Sequence, residues 1–164
     1  MKHRYKQQGL VLLAAQGIHH PSQYLNTFIA LTQTLELGQK IVVVGDHDGL
    51  PTPLINEPDW LMLYNPCYPT PMTSSIQYAL HALNPSIESV IICRTDQLKT
   101  TVEHLSSLLD FQKIHPTKMI HLSDAQSFPL GIPKQQFVDW YRLKSSDCDC
   151  LTRLLQKHTS IALL

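Results

Sequence analysis

Three short stretches of this chain set chemistry-bearing side chains where a fold can use them. The first is Arg94-Thr95-Asp96-Gln97, which follows Val90-Ile-Ile-Cys93, a run apolar enough for a strand buried on both faces. A carboxylate at the C-terminal tip of such a strand sits where open α/β sheets bind ligands. The plainer role for Asp96 is to cap the next helix or close a turn. The second stretch is Met72-Thr73-Ser74-Ser75-Ile76, a set of hydroxyls opening a helical pattern behind a proline-rich loop. Its plainer role is an N-cap at Thr73 or Ser74. The third is Ala14-Ala15-Gln16-Gly17, where the apolar run Leu10–Ala15 gives way to a loop carrying His19 and His20.

Other reactive side chains are scattered. Nine histidines invite a metal site, and His19, His20 and His47 follow strand-like runs. No i, i+4 histidine pair or neighbouring cysteine completes a ligand set, so surface histidines are the simpler account. Cys93 falls within a buried strand and reads as a small core residue. Cys148-x-Cys150 is too tightly spaced for a usual zinc pair, and no second pair complements it. Asp46 and Asp48 fit a turn. No Ser-His-Asp or Cys-His arrangement can be assembled from the pattern.

The elements that must position these residues alternate along the chain. The spacing predicts strands at Gly9–Ala15, Ile41–Val44, Trp60–Tyr64, Val90–Cys93 and Met119–Leu122. Helices are expected at Leu25–Leu37 (ended by Gly38), Ser74–Leu83 (stopped by Asn84-Pro85), Lys99–Leu109, Lys134–Leu143 and Asp149–Lys157. Gln16–Tyr24 reads as loop, and Ser160–Leu164 as a closing strand or tail. Strands separated by helical segments imply βαβ units: a three-layer α/β/α fold with a mostly parallel sheet. The 164 residues suit one domain, 1–164, with a full core.

Bulk composition narrows the function. Apolar residues make up 43% and charged residues 16%, which fits a compact fold and argues against disorder. Thirteen Lys and Arg balance thirteen Asp and Glu, so the basic excess of a generic nucleic-acid binder is missing. The run Gly9–Ala15 is shorter than a membrane span, and Gln16–Pro21 makes a poor signal cleavage site. The expectation is a cytoplasmic protein that binds neither nucleic acid nor membrane.

In order and spacing, these stretches resemble the nucleotidyltransferases related to the molybdenum-cofactor cytidylyl- and guanylyltransferases (MobA-like enzymes). The likeness runs from Leu10 to Leu155. Leu13-Ala14-Ala15 matches the start of that family's phosphate-binding loop, Leu-Ala-Ala-Gly-x-Ser-x-Arg-x-Gly-x-x-Lys. Gln16 then stands for the first Gly, Ile18 for Ser, His20 for Arg, Ser22 for the second Gly and Leu25 for Lys. Pro71-Met72-Thr73-Ser74-Ser75-Ile76 resembles the Gly-Met-Ser-Ser-Ser-Leu that lies beside nucleobase and substrate. Thr95-Asp96-Gln97 keeps the Asp-Gln of a Gly-Asp-Gln-Pro strand end. Gly131-Ile132-Pro133 resembles a later Gly-Asn-Pro segment, and Asp147 falls on the Asp of a turn into the last helix.

The resemblance implies a nucleotide-diphospho-sugar transferase-like (Rossmann-like) fold. It implies transfer of a nucleotidyl group from a nucleoside triphosphate to a phosphorylated acceptor such as molybdopterin. Asp96 would be the catalytic carboxylate, holding Mg²⁺ with Asp147; one or two carboxylates suffice when water and phosphate oxygens complete the shell. Ala14, Ala15, Gln16, Gly17 and His20 would approach the phosphates, and Ser74 and Ser75 the base or acceptor. The lost loop cations leave a second reading open: a non-catalytic module on the same fold, binding a nucleotide or a protein partner.

Overall fold

The computed structural model describes residues 3–14, 21–45, 58–66, 72–95, 100–122, 128–144, 153–154 and 160–163. Strands are β1 (His3–Leu13), β2 (Leu35–Gly45), β3 (Trp60–Asn65), β4 (Ser89–Arg94), β5 (Met119–Leu122), β6 (Leu130–Pro133) and β7 (Ser160–Leu163). Helices are α1 (Pro21–Thr32), α2 (Met72–His81), α3 (Val102–Ile114) and α4 (Phe137–Tyr141), the last preceded by a 3₁₀ turn at Lys134–Gln136. Among the described residues the strands form one sheet in the order β3-β2-β1-β4-β6-β5-β7. Strands β3, β2, β1 and β4 are mutually parallel, and β6 runs against β4 and β5. This is the mostly parallel sheet that the alternation predicts.

Strand alternation builds the three layers. Leu10, Leu12 and Ala14 of β1, Val42 and Val44 of β2, and Ile91 and Cys93 of β4 pack on one face with Phe28 and Ile29 of α1 and Leu105, Leu108 and Leu109 of α3. Val11 and Leu13, Ile41 and Val43, and Val90 and Ile92 take the other face with Ile76, Ala79 and Leu80 of α2 and Phe137 and Trp140 of α4. Successive side chains point to opposite sides of a strand, so a strand covered on both faces must be apolar at every position. The Gln77 amide donates to the Trp140 carbonyl at 2.8 Å and the Leu143 carbonyl at 2.9 Å, which pins α4 to α2.

Several boundaries differ from expectation for identifiable reasons. Helix α1 starts at Pro21 and ends at Thr32, so Pro21–Tyr24 are helical rather than loop. Proline is pre-set for the first helical position. Leu35, Leu37 and Gly38 belong to β2, not to the helix. Helix α3 begins at Val102 because Thr101 caps it. The Thr101 hydroxyl accepts from the His104 N–H at 3.2 Å, and the Thr101 N–H donates to His104 Nδ1 at 3.3 Å. Strand β6 was not expected as a strand, because Pro129, Gly131 and Pro133 disfavour one in isolation. It forms between β4 and β5, which supply the pairing partners. Of the expected helix Asp149–Lys157, residues 153–154 are described and are helical.

Gly38 is needed for close approach. A methyl group added there would collide with the backbone carbonyl of Lys6 and lie 2.9 Å from the Ile87 side chain. Backbone cannot yield as a flexible side chain can. Gly38→Ala should therefore destabilise the protein by about 1–3 kcal/mol, the range for overpacking. Urea unfolding should show the midpoint falling with little change in slope.

Candidate functional site

Because β1 to β4 are parallel, their C-terminal ends lie along one sheet edge. Chain order reverses between β1 and β4. From β1 the chain moves outward to β2 and β3, then returns through α2 to the far side of β1. A crevice opens at such a reversal because the connections leave in opposite directions. The two central strand ends are tied together there. The Thr95 N–H donates to the Leu13 carbonyl at 3.2 Å, and the Thr95 hydroxyl reaches the same oxygen at 3.4 Å. On the other side the Ala14 N–H donates to the Val43 carbonyl at 2.9 Å. Leu13 stands opposite Arg94, so the chain leaves this point as Ala14-Ala15 from one strand and Thr95-Asp96 from the next.

The hydroxyl stretch is anchored at the same edge. Helix α2 begins at Met72, which puts Thr73, Ser74 and Ser75 in its first turn rather than at an N-cap, and all three are buried. Asn65, fully buried at the C-terminal end of β3, donates from its amide nitrogen to both Ser74 Oγ and Ser75 Oγ, each at 2.9 Å. One amide therefore fixes the start of α2 against the sheet edge. It also occupies a lone pair on each hydroxyl, which favours these hydroxyls as donors toward any further partner. Sequence reasoning did not single out Asn65, although an amide at a strand end, nine and ten residues before two serines, was visible.

Of the sequence-derived candidates, Ala14, Ser74 and Ser75 are described, and all three lie at this edge. Ala15, Gln16, Gly17, His20, Asp96 and Asp147 lie outside the described residues, as do His19, Asp46, His47 and Asp48. One alternative for Asp96 is nonetheless removed, since the N-cap of α3 is Thr101. Arg94, half-buried, places a cation at the end of β4. By strand alternation it shares the α2 face with Ile92. Burial pushes the Cys93 thiol far up, so it stays a protonated core residue. Among the described residues no three His, Cys, Asp or Glu side chains gather to hold a metal. No described helix is long and apolar enough to cross a membrane.

Removing the Asn65 amide would leave two buried hydroxyls short of a donor. Asn65→Ala should cost about 1–3 kcal/mol, the penalty for unsatisfied buried polar groups. Hydrogen exchange should accelerate in the first turn of α2 before the strands are affected.

Comparison with known proteins places this geometry. No family model and no curated protein sequence matches the chain. Solved structures do match. Rv0371c from Mycobacterium tuberculosis superposes with a TM-score of 0.71 at 17% identity, covering 99% of this chain and 89% of that one. The same protein solved in complex with manganese gives 0.69 at 17% identity, over 97% and 88%. A nucleotidyl transferase from Methanothermobacter thermautotrophicus gives 0.64 at 14% identity, over 92% and 82%. At these identities the likeness establishes the fold alone: the mostly parallel, Rossmann-like α/β sheet that these proteins share.

Proposed function

We propose that this protein binds a nucleoside triphosphate with a divalent cation in the crevice between β1 and β4, and transfers its nucleotidyl group to a phosphorylated acceptor. The observation that carries the reading is the Thr95–Leu13 tie, which holds the ends of β1 and β4 side by side at the points where the sequence runs on to Ala15 and to Asp96. Two structural neighbours support it, one a nucleotidyl transferase and the other, Rv0371c, solved in complex with manganese. Molybdopterin is the acceptor that the sequence resemblance suggests.

Each residue has a task in this reading. Ala15–Gly17 offer backbone N–H groups to the phosphates, and the N-terminus of α1 adds its partial positive charge. His20 and Arg94 supply what side-chain cation there is. Ser74 and Ser75, held by Asn65, donate to the base or the acceptor. Asp96, assisted by Asp147, holds the divalent cation, and hard carboxylate oxygens suit Mg²⁺ or Mn²⁺. When bound, the cation supplies Lewis-acid charge neutralisation on the phosphates. The chain's own contribution is to position the triphosphate and to keep the leaving pyrophosphate in line.

Residues 15–25 contain no Lys or Arg. A single arginine in related phosphoryl chemistry is worth about 10³–10⁵ in rate, so turnover should be slow by comparable factors. The same deficit favours a second reading, in which the crevice binds a nucleotide and signals through a partner without turnover.

Calorimetric titration with CTP, GTP and ATP, with and without Mg²⁺, separates these readings. The expected result is magnesium-dependent binding of at least one nucleotide, weakened about tenfold or more by Asp96→Ala, with slow pyrophosphate release once an acceptor is added. Binding without pyrophosphate release for any phosphorylated acceptor would select the non-catalytic module. No binding of any nucleotide would overturn both.

A further inference from the structure

Strand β3 ends the sheet among the described residues, with β2 on one side and no described strand on the other. Backbone N–H and C=O groups along such an outer side are set for pairing with another chain, and natural edge strands are usually blunted by a lysine, a proline or a bulge. Residues 60–65, Trp-Leu-Met-Leu-Tyr-Asn, hold no charge and no proline, and they pair with β2 without a register shift. Leu61 is 43% exposed and Tyr64 53%, although both are large hydrophobic residues. Pro58 precedes the strand and Pro66 follows it, so a ladder can extend little beyond the strand itself.

The order of the side chains fits a second copy of the same strand. Leu63 packs with the α2 face of the sheet, and Trp60 and Met62 with the face that α1 and α3 cover. By alternation Leu61 shares the first face and Tyr64 the second. Residues directly opposite each other in an antiparallel pair share a face, so a symmetric pairing must centre on a residue rather than between two. Centred on Met62, it sets Leu61 opposite Leu63 of the second copy and Trp60 opposite Tyr64, and the two Met62 residues meet on the axis. Every one of these pairs is hydrophobic on both sides, and aromatic cross-strand pairs add to the stability of strand pairing. Centring on Leu63 instead would set Leu61 opposite Asn65, whose amide is committed to Ser74 and Ser75.

Charge does not oppose this arrangement. Asp59 is the described charged residue that adjoins β3, and in the pairing centred on Met62 it lies opposite Asn65 of the second copy. The two Asp59 residues then stand on either side of the axis, about 20 Å apart along the strands. That exceeds the screening length of about 8 Å at physiological salt. Lys40 of β2 stands beside Trp60 at the same end as Asp59 of its own chain. The zero formal net charge of the chain adds no long-range repulsion. Tyr64 also makes a contact within its own chain, and the exposed half of its surface is what the second copy covers.

We propose that β3 pairs antiparallel with β3 of a second copy of this chain, about a twofold axis at Met62, and joins the two sheets into one. Six residues a side make a small contact, so the dimer is weak and concentration-dependent, with a Kd on the order of 10–100 μM. Strand β2 separates β3 from β1, which leaves the crevice between β1 and β4 open in the dimer. The pairing stands whether or not the protein binds a nucleotide.

Sedimentation velocity of the full chain should show monomer at about 1 μM and mostly dimer at about 0.5 mM. Leu61→Lys puts a charge at an exposed position opposite Leu63 of the second copy. It should weaken association about tenfold or more, with circular dichroism and thermal midpoint close to those of the wild type. Hydrogen exchange then locates the contact. The outward-facing backbone amides among Leu61–Tyr64 should slow as concentration rises, and those of β7, at the other end of the sheet, should not. If Leu61→Lys loses its fold, the wild-type exchange comparison decides alone. A monomer across the whole range, unchanged association in a folded Leu61→Lys, or association without slowing in β3 would overturn the proposal.

Discussion

Strand β1 has no free side. Strand β2 pairs along one edge and β4 along the other, while both faces are covered by helices. Its core residues Leu10 to Leu13 are therefore apolar without alternation, and Leu10, Val11 and Leu12 are almost completely shielded from water. Everything that matters at the candidate site is referred to this strand. Its end holds Thr95 through the Leu13 carbonyl and is itself held by Val43, so β2, β1 and β4 terminate in fixed relation. The loops that leave there inherit that relation, whatever their own sequences.

The second fixed point is the Asn65 amide. A hydrogen-bonded pair of buried hydroxyls is an unusual way to begin a helix, since a side-chain cap at the preceding residue does the same for the backbone. Here the amide ties helix to sheet rather than helix to itself. Neutral hydrogen bonds contribute only about 1 kcal/mol each, but leaving such groups buried and unmatched costs more. The arrangement thus favours one placement of α2 over its alternatives. Ser74 and Ser75 come to the sheet edge as a consequence of packing.

Much of the architecture was legible because it follows from periodicity. The cores of β1, β2 and β4 are continuous apolar runs, and those runs mark strands covered on both faces. Where periodicity was ambiguous, tertiary partners decided. Leu35 and Leu37 satisfy helical spacing, and Gly38 resembles a helix stop, yet all three lie in β2. The need for Gly38 arises from Lys6, far away in sequence. Strand β6 was hidden by its prolines and glycine. The Gln112 side chain from α3 lies against Gly131, a contact no local window contains. At the site, the end of β4 could be read from the apolar run before it. The Asn65 contact could not, because it spans a proline-rich loop whose path no local rule predicts.

The central claim is that the edge defined by Ala14, Thr95 and the start of α2 is where nucleotide and divalent cation meet. Paramagnetic broadening by Mn²⁺ in the presence of a nucleoside triphosphate tests it directly, residue by residue. The backbone amides of Ala14, Thr95, Ser74 and Ser75 should broaden first and together, while those of Gln8 and Ser89, at the far edge, stay sharp. Broadening that spared the strand C-termini, or that centred on the opposite edge, would contradict the account.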